Sequence, residues 1–173
     1  MGGNISCVRR KSTAGVVDAA RQGQWEEVAK ALESGVDVNS RNKRGMTILH
    51  FAANAGNLEK VMWVCGEKSA DVNLQSIKHG RTPIMFAARH GHLEVVKYLH
   101  QECKANLELQ APSGDTVITR ACFGAKVDVV KYLVEDANMT ITEAEFKAVE
   151  ASKRNEAGEA VVAVMEYLQT HKP

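Results

Sequence analysis

The chain has 173 residues, 45% of them hydrophobic and 25% charged, proportions ordinary for a soluble globular protein and opposed to a disordered or membrane-spanning reading. Lysine plus arginine (22) nearly balances aspartate plus glutamate (21), so the net charge of +1 gives no global argument for nucleic-acid binding. Only 5% of the residues are aromatic, which suits a core of Ala, Val, Leu and Ile.

The first element is a short tail. Met1-Gly2-Gly3-Asn4-Ile5-Ser6 fits the pattern M-G-x-x-x-[ST], in which Gly2 takes a myristoyl chain after Met1 is removed. One such chain binds membranes only marginally, so a second signal is needed. Two candidates follow: Cys7, placed for S-palmitoylation, and the basic cluster Arg9, Arg10 and Lys11, each residue worth about 1 kcal/mol near an anionic leaflet. Residues 1–12 are therefore expected to be a disordered, lipidated segment. It would hold the chain on the cytoplasmic side of a membrane, the plasma membrane being expected, or otherwise leave it in the cytoplasm. No apolar run reaches the length of a membrane span, and no secretory h-region is seen.

Internal repetition comes next. Ala19-Ala20-Arg21-Gln22-Gly23 matches Ala52-Ala53-Asn54-Ala55-Gly56 as a truncated first copy. Gly45-Met46-Thr47-Ile48-Leu49-His50-Phe51-Ala52-Ala53 is followed by Gly80-Arg81-Thr82-Pro83-Ile84-Met85-Phe86-Ala87-Ala88. A third version starts at Gly114, and the three glycines stand 35 and 34 residues apart. The physics of one unit reads from the Gly80 copy. Gly80 permits a tight turn. Thr82 is expected to cap a helix with Pro83 in its first turn. Ala87 and Ala88 keep that helix thin, and Gly91 ends it. Leu93, Val96 and Leu99 then form one apolar stripe on a second helix. The Gly114 copy departs from this wording with Val117 for Pro, Thr119 for His and Ala125 for Gly, changes expected to weaken its capping.

The last segment, 142–173, loosens the pattern. Thr142-x-x-Glu145 is a capping box opening a helix with Phe146 and Val149, Gly158 is expected to break it, and a last helix carries Val161, Val164 and Leu168.

A period near 33 residues with a Thr-Pro-Leu-His-like core resembles the ankyrin-repeat family across about residues 15–140. The resemblance implies an all-α solenoid: about four helix-turn-helix repeats over 13–141, and a degenerate C-terminal capping repeat over 142–173. It implies a monomeric protein-binding module that needs no cofactor and does not bind nucleic acid. The opening, Val17-Asp18-Ala19-Ala20-Arg21-Gln22-Gly23, also resembles plant ankyrin–RING ubiquitin ligases, but no RING cysteines are present and ligase activity does not carry over.

In the family, partners contact the turn tips and the exposed end of each first helix. Carried onto this chain, those positions are Arg21; Lys43, Arg44, Met46 and Asn54; Lys78, His79, Arg81, Arg89 and His90; and Phe123. The set is basic through its middle, with Asp115 the single acid among the tips, while the other acids lie elsewhere. A basic concave groove for an acidic or phosphorylated protein segment is the reading taken: a membrane-tethered adaptor or scaffold. The alternative is a soluble inhibitor that docks on an enzyme such as a kinase, as four-repeat cyclin-dependent-kinase inhibitors of similar size do.

Sharper chemistries have little to stand on. Cys7, Cys65, Cys103 and Cys122 form no Cys-x-x-Cys pair. His79, His90 and His92 lack a carboxylate or thiol at ligand spacing. His50 reads as a motif histidine bonding the neighbouring turn rather than a general base. Trp25 and Trp63 read as packing residues. With no phosphate loop, nucleophile elbow or H-E-x-x-H motif, the chain is not expected to be an enzyme, nor to bind a metal.

Overall fold

The computed structural model describes residues 13–151 and 158–170. Gly2, Cys7, the basic cluster at 9–11 and the last three residues lie outside them. Within the described residues there are ten α-helices and no strands. The first helices of successive repeats are α1 (Thr13–Arg21), α3 (Ile48–Asn54), α5 (Pro83–His90) and α7 (Val117–Phe123). The second helices are α2 (Trp25–Glu33), α4 (Leu58–Met62), α6 (Leu93–Gln101) and α8 (Val127–Glu135). Two further helices, α9 (Glu143–Ala151) and α10 (Gly158–Thr170), follow.

Packing arranges them in two layers. In the inner layer α3 touches α1 and α5, α5 touches α7, and α9 packs on α7. In the outer layer α4 touches α6 and α6 touches α8. The alanine pairs explain the close inner spacing: Ala52, Ala53, Ala87, Ala88 and Ala121 are all 0% exposed. The apolar stripe of α6 is buried at Val95, Val96 and Leu99, with Leu93 half-buried at its edge. In the last unit Val149, Val161, Val164 and Leu168 join the same core. Thr142 and Glu145 form the expected capping box: the Thr142 N–H donates to Glu145 Oε2 at 2.8 Å, and the Glu145 N–H to Thr142 Oγ1 at 3.2 Å. Gly158, expected to break the first of these helices, is instead the first described residue of α10, and α9 is described to Ala151.

Side chains stitch neighbouring repeats together. The Asp71 N–H donates to Asn39 Oδ1, and the Asn106 N–H to Asn73 Oδ1, both at 2.8 Å. Turn tips stack directly. A Cβ on Gly45 would meet the Ile77 nitrogen at 2.3 Å, and one on Gly80 would meet Pro112 Cδ at 2.2 Å, so both positions exclude a side chain as well as needing positive φ.

Caps differ between repeats in ways the wording hides. Thr82 does not cap α5. Its Oγ1 is buried without a partner, because the Met85 N–H already bonds the Thr82 carbonyl at 3.1 Å and Met85 offers no polar side chain in return. Nor is the Gly114 copy weakly capped at its first helix. Thr119 takes the histidine's place, and Thr116 and Thr119 form a reciprocal box, the Thr116 N–H donating to Thr119 Oγ1 at 2.8 Å. Its weak point is Ala125, which sits at φ 53° where the other repeats have Gly23, Gly56 and Gly91. Left-handed backbone costs an L-residue about 1–2 kcal/mol. Ala125→Gly is therefore expected to raise the stability measured by urea unfolding by about 1 kcal/mol, after the greater entropy of glycine in the unfolded chain is deducted.

His50 bonds as a motif histidine should. Its Nδ1 accepts from the Thr47 N–H at 3.1 Å, and its Nε2 lies 3.0 Å from the Arg81 carbonyl, to which the neutral ring donates. Burial, then the charge of Arg41, push its pKa down to about 4, against the pull of the Arg81 carbonyl. In the unfolded chain the ring takes up its proton near pH 6.5, whereas the folded ring resists until about 4. The unfolded state thus binds more protons across that window, and stability falls as pH drops through it. Between pH 7 and pH 5 this one residue is expected to remove about 2 kcal/mol. Denaturant titrations should find the slope flattened in His50→Thr, which keeps the reciprocal cap seen at Thr119. An undiminished slope in that variant would place the effect elsewhere.

Candidate protein-binding face

The inner layer and its turn tips carry most of the basic residues singled out above, though not as one uniform row. Lys43, Arg44, Lys78 and His79 are exposed on successive tips, joined by the Lys78 N–H donating to the Arg44 carbonyl at 3.3 Å. Ile77 stands beside them 70% exposed, an apolar side chain among cations. Arg89 and His90 close α5, half-buried and exposed respectively. Arg21 is exposed at the end of α1 with Asp18 3.7 Å from its Nε. Asn54 and Phe123 are half-buried, and the Asn54 carbonyl accepts from His92 Nε2 at 3.1 Å.

Two of the expected contact residues are occupied otherwise. Met46 is only 9% exposed: it follows the turn glycine and tucks inward, so it serves the core. Arg81, in the same slot of the next repeat, gives Nε at 3.0 Å and Nη2 at 2.7 Å to Asp115 Oδ2. Asp115 occupies the slot after that. What looked like an acid diluting the row is the anchor of a clamp.

The second arm of the clamp is Arg120, which the sequence reading missed. Its Nη1 lies 3.5 Å from Asp115 Oδ2, the side chain is 7% exposed, and its Nε has no hydrogen-bond partner. The signal was present in the alignment of copies: Arg120 stands where the other two have Phe51 and Phe86. Burial, then Arg81 and Arg89, pull its pKa down to about 10 while Asp115 pulls the other way. The same group of charges reaches the tips. Slight desolvation and then Arg81, Lys78, Arg120 and Arg44 all disfavour protonation of His79. At His90 burial acts first, then His92, Arg89, Lys126 and Arg120. Cations from three consecutive repeats thus act on His79, His90 and Arg120, and at Arg120 the opposing charge is Asp115, which also holds Arg81.

Groups considered for other chemistry are placed differently. No cluster of three metal-binding side chains occurs among the described residues. His92 lies over Gly56, and the rings of His90 and His92 stack with centroids 6.0 Å apart. Burial raises the pKa of the Cys65, Cys103 and Cys122 thiols, which leaves little thiolate to react. The acids Glu26, Glu33, Glu59, Glu94 and Asp128 are exposed on the second helices, where Glu59 and Glu94 pair with Lys60 and Lys97.

A family model described as ankyrin repeats (3 copies) matches residues 16–111 and 68–144. Among curated proteins, the E3 ubiquitin-protein ligase Ufd4 of Drosophila melanogaster is 42% identical over 59 residues, covering 34% of this chain and 2% of that protein. The acyl-CoA-binding domain-containing protein 2 of Arabidopsis thaliana is 42% identical over 52 residues, 30% of this chain and 14% of its own length. The acyl-CoA-binding domain-containing protein 4 of Oryza sativa subsp. japonica is 44% identical over 43 residues, 25% of this chain and 13% of its own. The chain spans only a small fraction of the length of each, so the similarity concerns a repeat segment.

Proposed function

This chain belongs to the ankyrin-repeat family, in general a non-catalytic fold for protein–protein interaction, and on that premise we propose that its inner face captures an acidic or phosphorylated protein segment. The observation that carries this reading is the group of cations Arg44, Lys78 and Arg89 from adjacent repeats, beside an Asp115 carboxylate whose Oδ2 is held by Arg81 and Arg120. Arginine grips carboxylate or phosphate through paired N–H donors, and clustered cations speed encounter at low salt. Ile77 adds an apolar contact at the tip. The chain does no chemistry of its own: it holds a partner.

The same reading includes a membrane tether. Acylation of Gly2, reinforced by Cys7 or by Arg9, Arg10 and Lys11, would place the stack on the cytoplasmic side of a membrane as an adaptor. Its support is the sequence pattern at residues 1–7.

The test uses the full chain and its captured partner. Arg44→Glu with Arg89→Glu is expected to lose at least tenfold in affinity at low salt, whereas Glu94→Lys with Asp128→Lys, in the outer layer, binds as wild type. Arg81 is left intact because changing it would also break the clamp. Equal binding by both double variants would refute the inner-face assignment. Separately, Gly2→Ala is expected to leave the membrane fraction, and unaltered fractionation would remove the tether.

A further inference from the structure

The outer layer carries a second feature, an open groove of about 790 Å³ across the second helices of the first three repeats. Its walls are Trp25 from α2, Trp63 from the π-helical turn Trp63–Glu67 that continues α4, and Tyr98 from α6. Ala29 and Gly66 line it without filling it, and a Cβ on Gly66 would still clear the Tyr98 hydroxyl at 3.9 Å. The slots of Ala29 and Gly66 hold Lys131 and Glu135 in α8, so the opening belongs to the early repeats. Met62 at the rim is 47% exposed. Both tryptophans of the chain border the groove half-buried, packed on one side against the core.

Charge identifies the occupant. Glu26, Glu33, Glu59 and Glu67 line the groove, all exposed. The two cations there are already engaged: Lys60 pairs with Glu59 at 2.7 Å, and Lys68 Nζ sits 5.6 Å above the Trp63 ring. Among the described residues no cation pairs with Glu26, Glu33 or Glu67. The position of Lys68 also shows that an ammonium group is accommodated on this aromatic wall.

We propose that this groove binds a cationic amphipathic helix of a partner protein, its apolar stripe against Trp25, Trp63 and Met62 and its lysines or arginines toward Glu33 and Glu67. An i, i+3, i+4, i+7 stripe suits a channel that crosses neighbouring helices about 8–10 Å apart. Occupied at both faces, the repeat stack joins a basic partner on its outer layer to an acidic one on its inner layer.

Because both tryptophans border the site, their emission reports occupation directly. The probe is an 18-residue helical peptide of leucine and lysine with no tryptophan, titrated into the full chain. A saturable blue shift is expected, with the midpoint raised at least tenfold in Glu33→Lys with Glu67→Lys and unchanged in Arg44→Glu with Arg89→Glu. The same peptide with glutamate for lysine is expected to give no shift. Absence of a saturable shift, or equal midpoints in wild type and the Glu33/Glu67 variant, would overturn the proposal. Two other occupants would overturn it as well. Tenfold tighter peptide binding after Arg9→Glu, Arg10→Glu and Lys11→Glu would assign the groove to the chain's own tail. A wild-type dimer in sedimentation that the Glu33/Glu67 variant abolishes would assign it to a second copy.

Discussion

Asp115→Ala is expected to lower the free energy of unfolding by about 3–5 kcal/mol, the range for removing one partner of a buried ion pair. Asp115 is 8% exposed and accepts from two guanidinium groups, Arg81 at 2.7 Å and Arg120 at 3.5 Å. Without it the two arginines behave differently. Arg81, with 22% of its side chain exposed, can turn toward water. Arg120, at 7%, cannot, and its Nε is unsatisfied even in the native chain. An uncompensated cation is then held in a site where burial already presses against its charge. The Gly45 repeat shows the remedy, since it places Met46 and Phe51 in the equivalent slots. Asp115→Met combined with Arg120→Phe should recover most of the loss, leaving Arg81 free to reach solvent. Urea unfolding of the three proteins decides the matter. A loss below about 1 kcal/mol for Asp115→Ala would mean that the clamp contributes no more than a surface pair.

The second large effect is steric. Gly124 has an ordinary helical backbone, φ −85°, so conformation does not explain a glycine there. Space does: a Cβ would lie 2.0 Å from the carbonyl oxygen of Arg89 and 2.9 Å from its carbon. The obstacle is backbone of α5, which no rotamer change can relieve. Gly124→Ala must push α7 away from α5 and is expected to cost about 3 kcal/mol or more, the upper end of overpacking. Gly23 supplies the control. It has φ 76° with nothing within 4 Å, so Gly23→Ala should cost only the conformational term of about 1–2 kcal/mol. Comparable melting of the two variants would show that the inner layer yields easily at that contact.

These two cases mark the boundary of what the sequence discloses. The repeat, its period, the His50 bond to the next turn and the Thr142–Glu145 box are all local patterns or fixed offsets, and the structure contains them. The Arg81–Asp115–Arg120 clamp is not local. It arises because residues 34 apart occupy the same slot of adjacent repeats, so an acid in one copy faces a base in the previous one. Comparing copies column by column discloses it; scanning along the chain for basic residues made Asp115 look like a stray acid and passed over Arg120. Met46 misled for a related reason, since its slot follows the turn glycine like a tip residue yet is buried. Thr82 misled in the opposite direction, because a capping threonine needs its N–H partner to be unclaimed. The outer groove depends on a π-helical turn and two small residues, a combination with no motif of its own.

The stacked turns have one more consequence. Gly45 lies against Ile77 and Gly80 against Pro112, so the spacing of the fingers is set by contacts between the turns themselves. Lys43, Arg44, Lys78, His79 and Ser113 stand exposed beside those contacts. Their identity can drift or be redesigned without disturbing the pitch of the array, much as type can be exchanged in a frame that holds it. Among the described residues the row reaches its end at Gly114, where a Cβ would meet nothing nearer than Gln110 Nε2 at 3.9 Å. A new partner could thus be accommodated by rewriting a few letters on existing fingers, or by a further finger seated on that bare edge, and in both cases the helices beneath would keep their present sequence.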